Sequence, residues 1–533
     1  MERLAGRIML LGGFPRAILA IGAGAVGALA LPPFGVFATL FVSFTLLVWL
    51  LDGMASDPDA GWFARFRSAF WIGWLFGFGY FVAGLWWLGN ALLVEADEFA
   101  WALPLAVLGL PAYLAIFYGL ATAIARSLWS DGMGRLAALA FGFGLGEWLR
   151  GIVATGFPWN AIGYGAMPFP LMMQSAAVLG ISGMTILAVF VFSAPALLGT
   201  RKGMRSGLAI ATILFAVHLG YGAWRLHTAD AALAEVSGNE TTVRIVQPLI
   251  DQARKLDDAE RTAIFEEHLT LSALPPEDGP KRPDIVVWPE TSVPFILTQN
   301  PDALARISDV LQDGQVLITG AVRSEEAGPG SAPRYYNSIY VIDSQGQIVS
   351  ASDKVHLVPF GEYVPYEDVL RNIGIPEAIA MPGGFSAAPS QTMLTLPSGQ
   401  TFYPLICYEA IFADEIGAQV EGTAALLNVT NDGWFGVTPG PYQHFQQARI
   451  RSVENGLFMI RGANTGISAF IDPFGRITKG IGYNQKGVID ATLRGGAVPH
   501  WDGFSRERNF WLLVAAMFVI AAVSRMGFNF RAN

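Results

Sequence analysis

Long apolar runs alternate with short polar breaks from residue 17 to 224. A mixed strand-and-helix pattern follows from about 239 to 496, and one apolar run returns at 510–523. A membrane-crossing helix needs about 20 mostly apolar residues. Eight runs approach that length: 17–31, 34–51, 69–92, 101–124, 136–149, 171–198, 208–224 and 510–523. The pattern predicts a transmembrane domain of about seven helices over 1–232 and a soluble α/β domain over 239–496. A final transmembrane helix with a short tail covers 505–533. Arg3, Arg7 and Arg16 before the first run, with Ala28-Leu29-Ala30 at its end, also fit a secretory leader. The remaining topology is the same in either case.

Lysine and arginine gather in cytoplasmic loops and so set orientation. With the N-terminus inside, the inner segments hold Arg3, Arg7, Arg16; Arg65, Arg67; Arg126, Arg135; Arg201, Lys202, Arg205; and Arg525, Arg531. The outer segment 94–101 carries Glu95, Asp97 and Glu98 and no basic residue. Seven crossings then put the soluble domain outside the cytoplasm, the periplasm in a Gram-negative cell. The eighth returns the C-terminus to the inside.

Within 239–496, short β-rich runs at 242–247, 284–288, 315–320, 338–343, 401–406, 424–428 and 466–471 alternate with helical patterns at 257–274, 302–312 and 442–455. Such alternation predicts layered sheets and helices.

Composition sharpens this picture. Of 533 residues, 53% are hydrophobic before glycine is counted and 14% are charged, against about 25% charged in soluble domains. A disordered chain is excluded and an ordinary cytosolic enzyme is disfavoured. The 34 Lys and Arg against 43 Asp and Glu leave a net charge of −9, opposite in sign to a global nucleic-acid binder. One cysteine and six scattered histidines argue against a disulfide, a thiolate cluster or another metal site. No cofactor is implied. Gly22-Ala23-Gly24-Ala25-Val26-Gly27 spells a dinucleotide fingerprint, but it follows no strand and lies in an apolar run. Small residues there read as close helix packing.

The lone cysteine carries the candidate chemistry. Cys407 ends the apolar run Phe402-Tyr403-Pro404-Leu405-Ile406, just before a helical pattern. That is a strand-to-helix turn, where a nucleophile is presented beside backbone N–H donors; a buried structural cysteine fits the position equally. A nucleophilic thiol needs a base or a cation beside it. His356 and His444 offer one solution. Glu290, just past the strand-like run ending in Trp288-Pro289, and Lys354, in a loop after a hairpin, offer another. Taken singly, Glu290 and Lys354 read as solvated surface charges.

Taken together, Glu…Lys…Cys in this order, each at a strand edge, resembles the nitrilase superfamily over about residues 242–490. The local words are Trp288-Pro289-Glu290-Thr291, the Lys354 loop, Ile406-Cys407-Tyr408-Glu409 and Asn428-Val429-Thr430-Asn431-Asp432-Gly433-Trp434-Phe435. The resemblance implies an αββα sandwich. The apolar part narrows it. Gly146-Glu147-Trp148-Leu149-Arg150, Gly156-Phe157-Pro158-Trp159-Asn160, Gly163-Tyr164, His356 to Glu362 and Gln443-His444-Phe445 resemble the apolipoprotein N-acyltransferase family. That likeness spans essentially the whole chain. One departure stands out: the family usually has Asn-Ile after Gln247 and Lys-Trp further on, where this chain has Leu249-Ile250 and Lys255-Leu256. It bears on substrate contact at that loop, not on the chemistry.

The resemblance implies Cys407 as nucleophile, Glu290 as general acid and base, and Lys354 as oxyanion stabiliser, with a thioester acyl-enzyme and ping-pong kinetics. Glu362 is expected to hold Lys354 charged and oriented. Tyr408 is expected to donate its backbone N–H, and Glu409 to orient the turn. Trp288, Asn337, Trp434, Trp159 and Tyr164 are expected at the substrate. Phe157, Pro158, Trp159 and Tyr164 fall on a predicted outer loop, where they fit an acyl entrance or an aromatic interface belt. Glu147 is expected to pair with Arg150. The implied partners are a phospholipid acyl donor, with phosphatidylethanolamine favoured, a diacylglyceryl-cysteine lipoprotein acceptor and the bilayer of the bacterial inner membrane; a monomer is expected. Two other readings stay open: a membrane-tethered amidase using the same three residues, and a transporter with a soluble binding lobe, although no internal repeat is present.

Overall fold

The structure, a computed structural model, describes residues 1–54, 62–276, 281–326, 332–366, 384–416, 420–498 and 505–532. Residues 277–280, 327–331, 367–383 and 417–419 of the expected soluble domain, and Asn533 of the expected tail, lie outside the described residues. The chain forms two compact units, Met1–Thr228 with Trp501–Asn533, and Ala229–His500.

In the first unit, six helices among the described residues are long and apolar enough to cross a membrane: Phe66–Leu93, Ala96–Ser127, Met133–Thr155, Ala176–Gly199, Met204–His227 and Arg506–Gly527. A seventh results if Glu2–Met9 and Gly13–Ala28, bent by 120°, make one span. This is fewer than the eight apolar runs. Run 34–51 forms only the 14-residue helix Thr39–Asp52, roughly 21 Å at 1.5 Å per residue, short of a hydrocarbon core of about 30 Å. Pro32, Pro33 and Gly35 precede it and delay its start. Gly24 lies within Gly13–Ala28, and a Cβ there would overlap the main chain at Phe76, so the glycine-rich run serves helix packing. Arg150 pairs with Glu147 through Nε at 2.8 Å and donates to the Trp159 carbonyl at 2.8 Å. Glu147 also accepts from Tyr118 Oη at 2.6 Å and Ile162 N at 3.2 Å. The intramembrane charge is thus satisfied within its own unit.

The second unit contains strands β1 (Glu240–Gln247), β2 (Ile285–Val287), β3 (Val316–Glu325), β4 (Arg334–Asp343), β5 (Ile348–Asp353), β6 (Leu394–Thr395), β7 (Thr401–Ile406), β8 (Ala425–Thr430), β9 (Met459–Ala463), β10 (Ser468–Ile471), β11 (Ile477–Ile481) and β12 (Gly487–Arg494). They form two six-stranded sheets, ordered β12-β1-β2-β3-β4-β5 and β11-β10-β9-β8-β7-β6. The central pairings β1–β2–β3 and β7–β8–β9 are parallel, and antiparallel strands flank them.

Strand periodicity explains the layers. Alternate residues face opposite sides of a sheet. Val243, Ile245, Ile318 and Val341 meet Phe402, Leu427, Val429 and Ile460 in the core between the sheets. The opposite face of the first sheet, with Val246, Val286 and Leu317, packs on Phe265 and Leu269 of helix Arg261–Ser272 and Ala303 and Ile307 of helix Pro301–Val310. Leu405, Leu426 and Met459 of the second sheet pack on Phe445 and Ala448 of helix Gly440–Asn455. The result is an αββα sandwich. Because helices cover both outer faces, the parallel strands are apolar on both sides.

Candidate active site

The carboxyl ends of parallel strands are where an open α/β sheet presents ligands. Here β2 in one sheet and β7 and β8 in the other deliver Glu290, Cys407 and Asn431, while β5 of the first sheet delivers Lys354. Each is nine-tenths or more buried.

Cys407 directly follows β7 and opens the 3₁₀ turn Cys407–Ile411. Its φ of +50° is a strained conformation for a residue with a Cβ, of the kind that clusters at functional sites. Glu409 over-determines it. One carboxylate oxygen accepts from Ile406 N at 2.7 Å, and the other from Val355 N at 2.7 Å and His356 N at 3.2 Å. The nucleophile turn and the Lys354 loop are therefore stapled by one side chain. Burial pushes the Glu409 carboxyl up to about 7, against the pull of these N–H donors.

Lys354 follows β5, and its N–H donates to the Asn337 carbonyl at 2.8 Å. Its ammonium donates to Glu362 Oε1 at 2.9 Å and lies 3.5 Å from Glu290 Oε1. Burial alone lowers a lysine, but Glu362, Glu290 and Cys407 more than offset it, and Lys354 is held charged well above its ordinary range. Asn337 Nδ2 donates to both Glu290 Oε1 and Glu362 Oε1, each at 2.8 Å. Glu362 Oε2 accepts from Val358 N at 2.8 Å, and Glu290 Oε2 from Asn431 N at 2.9 Å. Burial drives the Cys407 thiol up, the Glu290 carboxylate adds to this and the Lys354 ammonium opposes it; the balance is upward. At rest the sulfur is a thiol that needs a base at the moment of attack.

Glu290, Lys354, Cys407, Glu362, Asn337, Glu409 and Tyr408 thus meet in one place. Trp434 is partly exposed on the turn Asp432–Phe435, right after Asn431. Other residues lie elsewhere. Trp288 is a core residue: its Nε1 donates to Ser272 Oγ at 2.7 Å and its ring packs on Phe265 and His268. Trp159 and Tyr164 are 2% and 1% exposed within the first unit, Trp159 packing on Trp87 at 5.1 Å. Neither histidine pairs with the sulfur. His356 stacks on Phe412 at 3.7 Å and bonds Glu415. His444 Nε2 reaches the Cys407 carbonyl at 3.0 Å, and its Nδ1 faces Asp432 at 2.7 Å.

Some neighbours went unmarked in the sequence. Thr430 Oγ1 lies 3.2 Å from Cys407 Sγ and 3.1 Å from Asp432 Oδ1, and Arg461 holds Asp432 at 2.9 Å. Arg461, assisted by His444, keeps the buried Asp432 carboxyl low despite its desolvation. Thr430, Asn431 and Asp432 belong to the Asn428–Phe435 motif, whose likeness to the nitrilase superfamily was their one signal. Among the described residues no cluster of three or more His, Cys, Asp or Glu side chains suits a metal ion.

This arrangement, a buried thiol with a carboxylate and a lysine at the strand ends of an αββα sandwich, defines a nitrilase-type domain. Residues 242–501 match the carbon-nitrogen hydrolase family, and residues 23–194 match the apolipoprotein N-acyltransferase N-terminal domain. The chain is 65% identical to an apolipoprotein N-acyltransferase of Agrobacterium fabrum and 65% identical to one of Allorhizobium ampelinum, covering 100% of both chains in each case. A solved structure, Saccharomyces cerevisiae Nit3, a member of branch 10 of the nitrilase superfamily, overlaps 49% of this chain and 91% of its own at 20% identity and TM-score 0.34. The chain belongs to the apolipoprotein N-acyltransferase family. It is a multi-pass membrane acyltransferase.

Proposed function

We propose that Cys407 takes a fatty acyl chain from a membrane phospholipid and passes it to the N-terminal amine of the diacylglyceryl-cysteine of a lipoprotein. Glu290 removes the thiol proton as sulfur attacks the ester carbonyl. The oxyanion develops beside the Lys354 ammonium and the Tyr408 backbone. As the ester C–O bond breaks, Glu290 returns the proton to the lysophospholipid oxygen and leaves a thioester. The amine then attacks the thioester carbonyl and Glu290 accepts its proton; as the C–S bond breaks, Glu290 passes that proton to sulfur, which restores the thiol and the carboxylate and leaves the amide. Positioned proton transfer typically contributes 10²–10⁴-fold, and one oxyanion donor about 10²–10³-fold.

The reading rests on one observation above all: Lys354 Nζ lies 3.5 Å from Glu290 Oε1, and both charges act on the Cys407 sulfur. The membrane unit supports lipid substrates, since two reactants anchored in one bilayer meet locally. We place residues 239–496 as the catalytic domain on the periplasmic face of the inner membrane, with the C-terminus cytoplasmic. Support for this side comes from the basic residues on the alternate loops. The test is the intact mass of the full chain incubated with phosphatidylethanolamine. Wild type gains one acyl group, and Cys407→Ala gains none; full turnover by Cys407→Ala overturns the reading.

A further inference from the structure

A second lysine reaches the reaction centre from a different strand. After β1 the chain enters the short helix Gln252–Leu256, whose start is capped by Asp251 accepting from Ala253 N at 2.9 Å. Two side chains of this helix grip Glu290 from its two ends. Gln252 Oε1 accepts from Asn431 Nδ2 at 2.8 Å, and Asn431 N is the donor to the Glu290 carboxylate. Lys255 Nζ donates to the Glu290 main-chain oxygen at 3.1 Å and to Thr291 Oγ1 at 2.9 Å. Thr291 has φ +45°, a conformation that persists only where surrounding contacts over-determine it.

Three titratable groups face Lys255 from packed elements. Glu290 and Cys407 both favour its charge, while loss of solvation, the larger effect, brings it down to about 8. His268, on helix Arg261–Ser272, is pushed down to about 4 by burial and is neutral. Arg254 on the same short helix is taken up by Glu260 and Glu267.

We propose that Lys255 is a positioning residue for acyl transfer: its ammonium fixes the Glu290–Thr291 turn and so aims the Glu290 carboxylate at Cys407. The proposal rests on Glu290 being the base. Its consequence is an alkaline limb near pH 8 on thioester formation. Measured with phospholipid alone, that half-reaction is free of the acceptor amine's own titration.

The experiment follows the rate of the acyl adduct by intact mass, using the full chain in detergent micelles with phosphatidylglycerol, a donor with no headgroup amine to titrate, from pH 6 to 9.5. Lys255→Met is expected to slow acylation about ten- to a hundredfold, as a small misplacement of a reacting group does, and to lose the alkaline limb. Lys255→Arg is expected to restore the rate to within a few-fold and to carry the limb beyond the range. Thr291→Val removes one of the two acceptors, so a smaller loss with the wild-type limb is expected. A wild-type rate and profile in Lys255→Met overturns the proposal. So does an equal slowing of Lys255→Met and Lys255→Arg with the limb unmoved, which is what a purely structural role predicts. Should Lys255→Met fail to accumulate, an unmoved limb in Lys255→Arg overturns it alone. Glu290→Gln is run beside them: its inactivity keeps the base assignment, so that a failed Lys255 test then counts against this proposal alone, whereas a wild-type rate there sinks the base assignment and this proposal with it.

Discussion

Lys354 gives its hydrogen bond to Glu362 at 2.9 Å, not to Glu290, in a pocket where the two paired side chains are 1% and 11% exposed. Two carboxylates therefore share one ammonium unequally. Glu362 holds it by a direct hydrogen bond, and Glu290 lies further off at 3.5 Å. Glu362→Gln retains an acceptor but removes the charge, so Lys354 turns to Glu290 and weakens it as a base. Acyl-adduct formation is expected to fall about 10²-fold, within the usual range for a positioned base. Glu362→Ala, which leaves a buried ammonium short of its partner, is expected to cost about 3–5 kcal/mol in chemical denaturation. Wild-type acylation by Glu362→Gln would remove Glu362 from the mechanism.

Glu409 accepts three backbone N–H donors from two separate segments. An amide in its place has one oxygen, and its NH₂ must face a donor. Glu409→Gln is expected to destabilise the second unit by about 1–3 kcal/mol, the usual penalty for an unsatisfied buried polar group. Thioester formation should slow with it, because the φ +50° turn at Cys407 loses its restraint. Denaturation midpoints and adduct rates measured on one preparation check both halves.

The residues readable in advance were those at strand ends. Cys407 closes an unbroken apolar run, but Glu290 and Lys354 read singly as surface charges; it was the likeness of the three segments together to the nitrilase superfamily that singled them out. β9 stayed hidden because Arg461 breaks its apolar run; only the fold supplies Asp432 and Asn428 as its partners. Asn431 stood in the Asn428–Phe435 motif and Lys255 in the loop tied to substrate contact, but neither pointed to Glu290, on which they act across 141 and 35 residues of sequence. Trp288 misled because a tryptophan two residues before a candidate catalytic carboxylate looks like a substrate contact. Strand alternation turns it instead to the helix layer.

His268 sets a pH dependence of stability. Its Nδ1 bonds the Ile264 carbonyl at 2.8 Å, and its Nε2 has no hydrogen-bond partner. Protonation would put an unpaired N–H and a charge in the core. Burial holds the folded value at about 4, against about 6.5 in the unfolded chain. Between those values the unfolded state binds more protons, so stability is present above pH 6.5 and is lost as pH falls towards 4. The loss is about 3 kcal/mol at most. Denaturation midpoints from pH 7 to 4.5 should fall in wild type, and fall less in His268→Phe. Parallel slopes in the two proteins would rule His268 out as the cause.

Gly320 in β3 lies directly against the Glu290 turn. Gly320 N donates to the Pro289 carbonyl at 3.2 Å, and Gly320 O accepts from Ser292 N at 2.9 Å. A Cβ at Gly320 would fall 2.5–2.6 Å from three main-chain atoms, Thr291 N, Glu290 Cα and Pro289 O. None of them is the movable end of a side chain, so the turn itself has to shift. The carboxylate of Glu290 would move relative to Asn337, Asn431 and the Cys407 sulfur, while Lys354, Glu362 and Glu409 keep their own contacts. Gly320→Ala is therefore expected to lower acyl-adduct formation about 10²-fold, the scale of a 1 Å misplacement of a reacting group, with Cys407 still reacting with a small thiol reagent. Full-rate acylation in Gly320→Ala would mean that the placement of Glu290 does not limit the reaction.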